Sequence, residues 1–211
     1  MKIVLATRNK GKAMEIKEIL KGLGLEIFTL DDFPEIPNTV EDGKTFEENA
    51  LKKARGVAQY LNMAALADDS GLEVDALDKK PGILSARYAG ENATDNGNNK
   101  KLLKELNGLV LKKRQACYKC VVALAFPSGK EETVEADCRG LISLEPKGNG
   151  GFGYDPLFFV PEYGKTMAEL PPEIKNRISH RGKALVKLKK KFLSKNGNLF
   201  RELEKSCKDG I

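Results

Sequence analysis

Asp68-Asp69-Ser70-Gly71 sets two adjacent carboxylates directly behind the apolar run of residues 64–67. Such a run reads as a buried strand, and ligands in open α/β sheets bind beyond the carboxyl ends of strands. Paired acids there suit a Mg²⁺ ion, which takes one or two carboxylates together with phosphate oxygens and waters. Neighbouring residues on an extended chain point to opposite faces, so one aspartate suits chemistry and the other structure. A second stretch, Thr7-Arg8-Asn9-Lys10-Gly11-Lys12, turns a strand into a helix. Backbone N–H groups at a helix start attract anions, and Lys12 adds a full charge. It is not a Walker A loop, because the leading glycine is absent and Ala13 follows Lys12. The third stretch is Gly150-Gly151-Phe152-Gly153-Tyr154-Asp155. Its glycines let backbone approach a ligand closely, and its aromatics can stack on a base. The fourth joins Lys175 to Ser179-His180-Arg181, placing the chain's single histidine among two cations and a hydroxyl.

Each stretch also has a plainer reading: a capped turn, an Asx turn, a common glycine-rich loop and an incidental histidine. Together, however, they supply phosphate donors, a metal carboxylate, a stacking ring and polar groups for a base edge. That set describes a nucleoside triphosphate site.

The elements that must position these groups alternate at first. Residues 2–6 read as a strand, and Ile16, Ile19, Leu20 and Leu23 recur at helical spacing until Gly24. Pro34 and Pro37 mark a loop running to Asp42. Thr45 followed by Glu48 is a capping box for a helix with Leu51, Ala54, Ala58 and Leu61 inward. A strand over residues 64–67 then ends at Asp68. Residues 92–99 lead into a short helix closing near Asn107-Gly108. Residues 118–126 and 132–138 flank Pro127-Ser128-Gly129 as a hairpin. The strand of residues 156–160 follows the glycine-rich loop, and residues 172–194 read as helical. The fold class is therefore α/β with a mixed sheet, because a hairpin forces antiparallel pairing.

Composition narrows the classes. A chain of 211 residues with 41% hydrophobic content can bury one sizeable core. No apolar run approaches the roughly 18 residues of a spanning helix, and the first residues lack the features of a signal peptide. Cys117, Cys120, Cys138 and Cys207 suggest a reduced, cytoplasmic protein. Cys117 and Cys120 form a C-x-x-C, but on a strand they face opposite ways and cannot share a metal. The net charge of +6 fits an anionic ligand. Much of the excess flanks the stripe Leu185, Leu188 and Phe192, as a solvated helix face would. A nucleic-acid-binding protein would need aromatics interleaved on a basic face, and Phe152 stands nearly alone. A nucleotide-binding regulator without catalysis would have no use for the Asp68-Asp69 pair.

Six ordered motifs carry a resemblance. They are Thr7-x-Asn9-x-x-Lys12, Phe46-x-Glu48-Asn49-Ala50-x-x-Lys53-Ala54, Ala67-Asp68-Asp69-Ser70-Gly71-Leu72, Pro81-Gly82-Ile83-x-Ser85-Ala86-Arg87-Tyr88, residues 150–155 and Ser179-His180-Arg181. Over about residues 2–193 the chain resembles the inosine/xanthosine triphosphate pyrophosphatase family. The resemblance implies a mixed, bent central sheet with flanking helices, in two lobes around an active-site cleft. It also implies a single two-lobed domain over residues 1–193, followed by a helical or flexible tail over residues 194–211, and a homodimer. The implied reaction is hydrolysis of ITP, dITP or XTP to monophosphate and pyrophosphate, which clears the nucleotide pool; an enzyme for pyrimidine triphosphates would share its metal chemistry. By the same resemblance, Thr7, Arg8, Asn9, Lys10, Gly11, Lys12 and Lys53 hold the phosphates. Asp69 is the general base and a Mg²⁺ ligand, Glu41 is the second metal carboxylate in a loop that also carries Glu35 and Asp42, and Ser70 touches substrate. Phe152, Gly153, Tyr154, Asp155, Lys175, His180 and Arg181 receive the nucleoside.

Overall fold

A computed structural model of the chain describes residues 1–193. The expected tail, with Lys195 and Cys207, lies outside the described residues. Strand β1 (Lys2–Leu5) is buried at Ile3, Val4 and Leu5. Helix α1 (Lys10–Leu20) starts at Asn9, whose side chain accepts from the Lys12 N–H and so satisfies one of the orphan donors of the first turn. Ile16 and Leu20, one turn apart, form its buried face. The helix stops at Leu20, four residues short of Gly24, because Lys21 leaves helical geometry and Gly22 takes a positive φ of 84°. Strand β2 (Glu26–Thr29) follows.

Helix α2 (Phe46–Leu61) is capped by Thr45, which accepts from the Glu48 N–H. The expected capping box is half formed: the Glu48 carboxylate accepts from the Lys44 N–H, not from that of Thr45. Ala50, Ala54, Val57 and Ala58 give it a small-residue buried face. Strand β3 (Ala65–Val74) is longer than its apolar run, and carries on through Asp68-Asp69-Ser70-Gly71. Helix α3 (Asp95–Glu105) is capped by Thr94. Strands β4 (Gln115–Ala125) and β5 (Glu131–Ile142) are joined through a turn in which the Phe126 N–H donates to the Lys130 carbonyl. Strands β6 (Phe158–Val160) and β7 (Lys165–Thr166) are short. The helical last stretch is two helices, α4 (Pro172–Ile178) and α5 (His180–Leu193). Ser179 separates them with extended backbone at ψ 158°.

The strands form one sheet in the order β2-β1-β3-β4-β5-β6-β7. β1 runs parallel to β2 and to β3, while β5–β6 and β6–β7 are antiparallel. The sheet is mixed, as the hairpin requires. The chain falls into two compact units. The first takes Met1–Asp69, Cys120–Ala136 and residues 181–193; the second takes Ser70–Lys119 and Asp137–His180. In the first unit, one core cluster packs Ile3, Leu5, Ile16, Leu20, Val122 and Leu124 with Leu185, Leu188 and Phe192 of α5. A second packs Val4, Ala54, Ala58 and Ala65. The second unit is built around Leu72, Leu102, Leu106, Ile142, Leu157 and Phe158. Lys183, Lys187, Lys190 and Lys191 are exposed on α5, opposite its apolar stripe. No described helix is long and apolar enough to cross a membrane.

Candidate active site

The pairing of β1 with β3 ends at Leu5↔Leu66, with one further bond from the Ala6 N–H to the Leu66 carbonyl. Asp68 and Asp69 therefore lie inside β3, not at its end, yet beyond the point where its neighbour has turned away. The general rule about strand ends holds for β1, which stops, while β3 continues because the alternating burial of Leu72 and Val74 extends it.

The two aspartates face different groups. Asp68 Oδ2 accepts from Lys12 Nζ at 3.0 Å and from Arg181 Nη2 at 3.0 Å and Nε at 3.2 Å. Burial pushes its carboxyl up, but Arg181, Lys12 and Lys53 outweigh that and hold it far below the usual carboxylate range. Arg181 also donates through Nη1 to Glu15 at 2.6 Å. Burial lowers its affinity for a proton, but Asp68 and Glu15 more than reverse that. Asp69 Oδ1 accepts from Lys53 Nζ at 2.8 Å, and Oδ2 from the Asn49 amide at 3.3 Å. Lys53 Nζ also reaches Glu41 at 3.2 Å. Burial raises the Asp69 carboxyl above its ordinary value, and the Glu41 charge adds to this. Burial raises Glu41 as well, but Lys53 carries it below the ordinary value. Lys53 itself holds its proton more tightly, because the carboxylates of Asp69, Asp68 and Glu41 outweigh burial.

Local structure explains these placements. Lys12 sits on the first turn of α1, a turn with no acidic residue, so the positive end of the helix dipole is not offset locally. Lys53 and Asn49 are one helical turn apart on α2. The Asn49 side-chain oxygen Oδ1 accepts from the Gly43 N–H at 2.8 Å, tying down the loop that carries Glu41. Arg8 holds the same loop by donating to Asn38 at 2.9 Å and to the Ile36 carbonyl at 2.8 Å. Thr7 accepts from the Asn9 N–H at 3.2 Å. Lys10 is exposed and Gly11 half-buried. Sequence reasoning did not single out Asn49 or Glu15. Asn49 stood inside a quoted motif and is 1% exposed, a position where a polar side chain needs partners.

In the second unit, residues 150–155 fold back on their own last carboxylate. Asp155 Oδ2 accepts from the Phe152 N–H at 2.9 Å and from Lys175 Nζ at 2.5 Å. Gly151 has a φ of 73°, and a Cβ there would lie 2.1 Å from Asp155 Oδ2, so the glycine is required by close approach as well as by conformation. Lys175 Nζ stands 4.6 Å from the centre of the Phe152 ring, within the range of a cation–π contact. The Tyr154 hydroxyl donates to the Ser85 carbonyl at 2.8 Å. His180 stacks on Tyr118 with ring centres 4.5 Å apart and planes at 15°. Ser70 opens this unit on β3 and is half-buried. Arg181, expected with the nucleoside group, belongs to the first unit, with its guanidinium on Asp68 and Glu15.

The pattern of the Ham1 family matches residues 3–191. The chain belongs to the Ham1 family. Among its relatives are proteins named dITP/XTP pyrophosphatase. The one from Geobacter sulfurreducens is 58% identical over 188 residues, which is 89% of this chain and 94% of that one. The one from Geobacillus kaustophilus is 52% identical over 88% of this chain and 91% of its own. A solved HAM1 protein from Coxiella burnetii superposes with a TM-score of 0.81 at 43% identity, covering 89% of this chain and 96% of that one. The Ham1 protein of Staphylococcus aureus gives 0.80 at 40% identity, covering 92% and 98%. The mixed α/β sheet expected from the sequence is thus the fold of the Ham1 family.

Two carboxylates of this Ham1 chain, Asp69 and Glu41, meet at one ammonium group. Among the described residues, no group of three or more His, Cys, Asp or Glu is placed to hold a metal ion. A pair of hard oxygen donors still fits Mg²⁺, which completes its shell with phosphate oxygens and waters. It does not fit a softer ion, because Cys117, Cys120 and Cys138 are separately buried as free thiols.

Proposed function

We propose that this Ham1-family chain hydrolyses non-standard purine nucleoside triphosphates, ITP, dITP and XTP, to the monophosphate and pyrophosphate. The observation that carries the reading is the Asp69–Glu41 pair bridged by Lys53, with Lys12 close enough to act on both carboxyls. The names of the relatives support the substrate class. Hydrolysis adds one water across the α–β anhydride. Asp69, held in place by Lys53 and Asn49, accepts the proton of that water as general base. Lys12, Lys53 and the start of α1 meet the phosphate oxygens and the charge on the departing pyrophosphate. Asp69 and Glu41 would hold Mg²⁺, which would supply Lewis acidity toward water and phosphate oxygens. Ser70, Thr7, Asn9, Lys10 and Gly11 complete the phosphate contacts, Arg8 holds the loop that carries Glu41, and the protein works as a cytoplasmic homodimer.

The nucleoside is received by Phe152, Gly153, Tyr154, Asp155, Lys175 and His180. Lys and Arg donate hydrogen bonds and have no lone pair to accept one. A 6-keto oxygen can accept from Lys175, whereas the 6-amino group of adenine cannot, a mismatch worth up to about 10⁴–10⁵-fold in kcat/KM. A panel of nucleoside triphosphates tests this, with pyrophosphate and phosphate release read separately. ITP and XTP stand well above GTP, GTP at or above ATP, and activity falls away in EDTA. Phosphate release instead of pyrophosphate, or full activity in metal-free protein, sinks the reading.

A further inference from the structure

We propose that Asp95 and Asn99 of α3 are positioning residues that hold the nucleoside-binding loop in its working conformation. The proposal rests on the assignment of residues 150–155 to the nucleoside. Both backbone polar groups of Gly153 are taken by side chains of one helix. The Gly153 N–H donates to Asp95 Oδ2 at 2.6 Å, and the Asn99 amide donates to the Gly153 carbonyl at 2.9 Å. The two side chains are four residues apart on α3, hence neighbours on one face, spaced to grip a single peptide unit on each side.

Gly153 is where the loop needs such a grip. Its φ is 62°, a conformation for which glycine is suited but which costs it more backbone freedom to adopt. On its N-terminal side, Phe152 is held through its N–H by Asp155. On its C-terminal side, Tyr154 is held through its hydroxyl by the Ser85 carbonyl. Gly153 has no side chain, so only its backbone can be fixed, and α3 does it. The chemistry of the pair is directional. Asp95 faces a donor and must accept; Asn99 faces an acceptor and must donate. Asn99 holds this orientation although its Oδ1 is buried without a hydrogen-bond partner among the described residues, a cost that marks the Gly153 bond as the one selected. Asp95 and Asn99 belong to the second unit, whereas Asp69, Lys12 and Lys53 belong to the first. Their loss therefore acts on nucleoside binding and not on the chemical step.

Near-isosteric substitutions separate direction from bulk. Asn99→Asp replaces the donor by an acceptor facing the Gly153 carbonyl, and Asp95→Ala removes the acceptor. Each raises KM for ITP by roughly three- to tenfold, the scale of one lost hydrogen bond, with kcat within about twofold. Each also speeds amide hydrogen exchange in residues 150–155. Asp95→Asn keeps an acceptor oxygen and retains the wild-type KM; a rise equal to that of Asp95→Ala would make the effect one of helix charge and overturn the proposal. Unchanged exchange and KM in folded Asn99→Asp protein also overturn it. Phe152→Ala is measured alongside. A wild-type KM there removes the loop from nucleoside binding, and this proposal with it. A raised KM there beside a wild-type Asn99→Asp protein removes the role of α3 alone.

Discussion

Asp68 and Asp69 share a strand and a side-chain chemistry, and differ in the face each presents. Asp68 meets a guanidinium and an ammonium, so its carboxyl stays ionised under acid. Asp69 meets one ammonium and a second carboxylate, so its carboxyl binds protons more readily than usual. The first arrangement suits holding structure and the second suits taking a proton. Asp69→Asn keeps shape and removes the acceptor; turnover of ITP drops by about 10²–10⁴-fold while far-UV circular dichroism stays unchanged. Wild-type turnover by that folded variant would move the base elsewhere. Asp68→Asn instead strands Arg181 and Lys12, and lowers stability by about 3–5 kcal/mol. An unfolded carboxyl titrates near 3.9 and the folded Asp68 well below that. Its contribution is present above about pH 4 and lost as pH falls further, because the unfolded chain then binds the proton first. Urea midpoints between pH 3 and pH 6 should fall more steeply toward acid in wild type than in Asp68→Asn. Parallel slopes would mean the pairs do not hold Asp68 ionised.

Helices and strands carry these groups to their partners, and the joints between elements are where small changes tell. Gly43 lies three residues before the first residue of α2, and a Cβ there would come within 2.6 Å of Asn49 Oδ1 and 2.9 Å of Glu48 Cβ. Gly43→Ala therefore pushes Asn49 off Asp69 without removing any functional group. We expect kcat for ITP to fall by roughly tenfold, the loss of one hydrogen bond to a charged group, with Asn49→Ala giving a similar fall. A Gly43→Ala enzyme with wild-type kcat would show that Asn49 does not orient Asp69. Strand β4 bears the cysteines at 117 and 120. Burial pushes the Cys120 thiol up to about 12 and raises Cys117 as well. Only thiolate reacts with alkylating agents. Iodoacetamide at pH 8 should leave Cys117 and Cys120 unmodified in the native protein and label both in denaturant, as peptide mass spectrometry reads directly. Native labelling of Cys120 would contradict its burial.

At the scale of the whole chain, each unit is assembled from separated segments, and the residues proposed for catalysis and binding all lie within the family match over residues 3–191. Phe192 completes the core of the first unit and Leu193 is exposed. A chain ending at Leu193 should therefore keep its melting temperature within a few degrees and its kcat/KM for ITP within about twofold, since the described core and the family match both close before residue 194. A large loss of either would assign the last residues a part in the fold or in the reaction.

Local chemistry made much of this molecule legible from its residues in order. Thr45 caps the helix that follows it because a short polar side chain beside an apolar repeat satisfies an otherwise orphan N–H of the first turn. The stripe Leu185, Leu188 and Phe192 is buried because its period matches a helix lying on a core. The opposite facing of Asp68 and Asp69 follows from the strand period alone. Other features depend on which distant segments meet, and no local period encodes that. Strand β3 runs on through its acidic pair because buried Leu72 and Val74 extend it. Arg8 spends its guanidinium on the loop bearing Glu41 instead of standing open toward a phosphate. Arg181 meets Asp68 across 113 residues of chain, and Asp95 meets Gly153 across 58. Residue types and short spacings set what each group can donate, accept or bury. Only the tertiary structure decides which partner it finds, because that partner is brought by the packing of the core and not by the chain beside it.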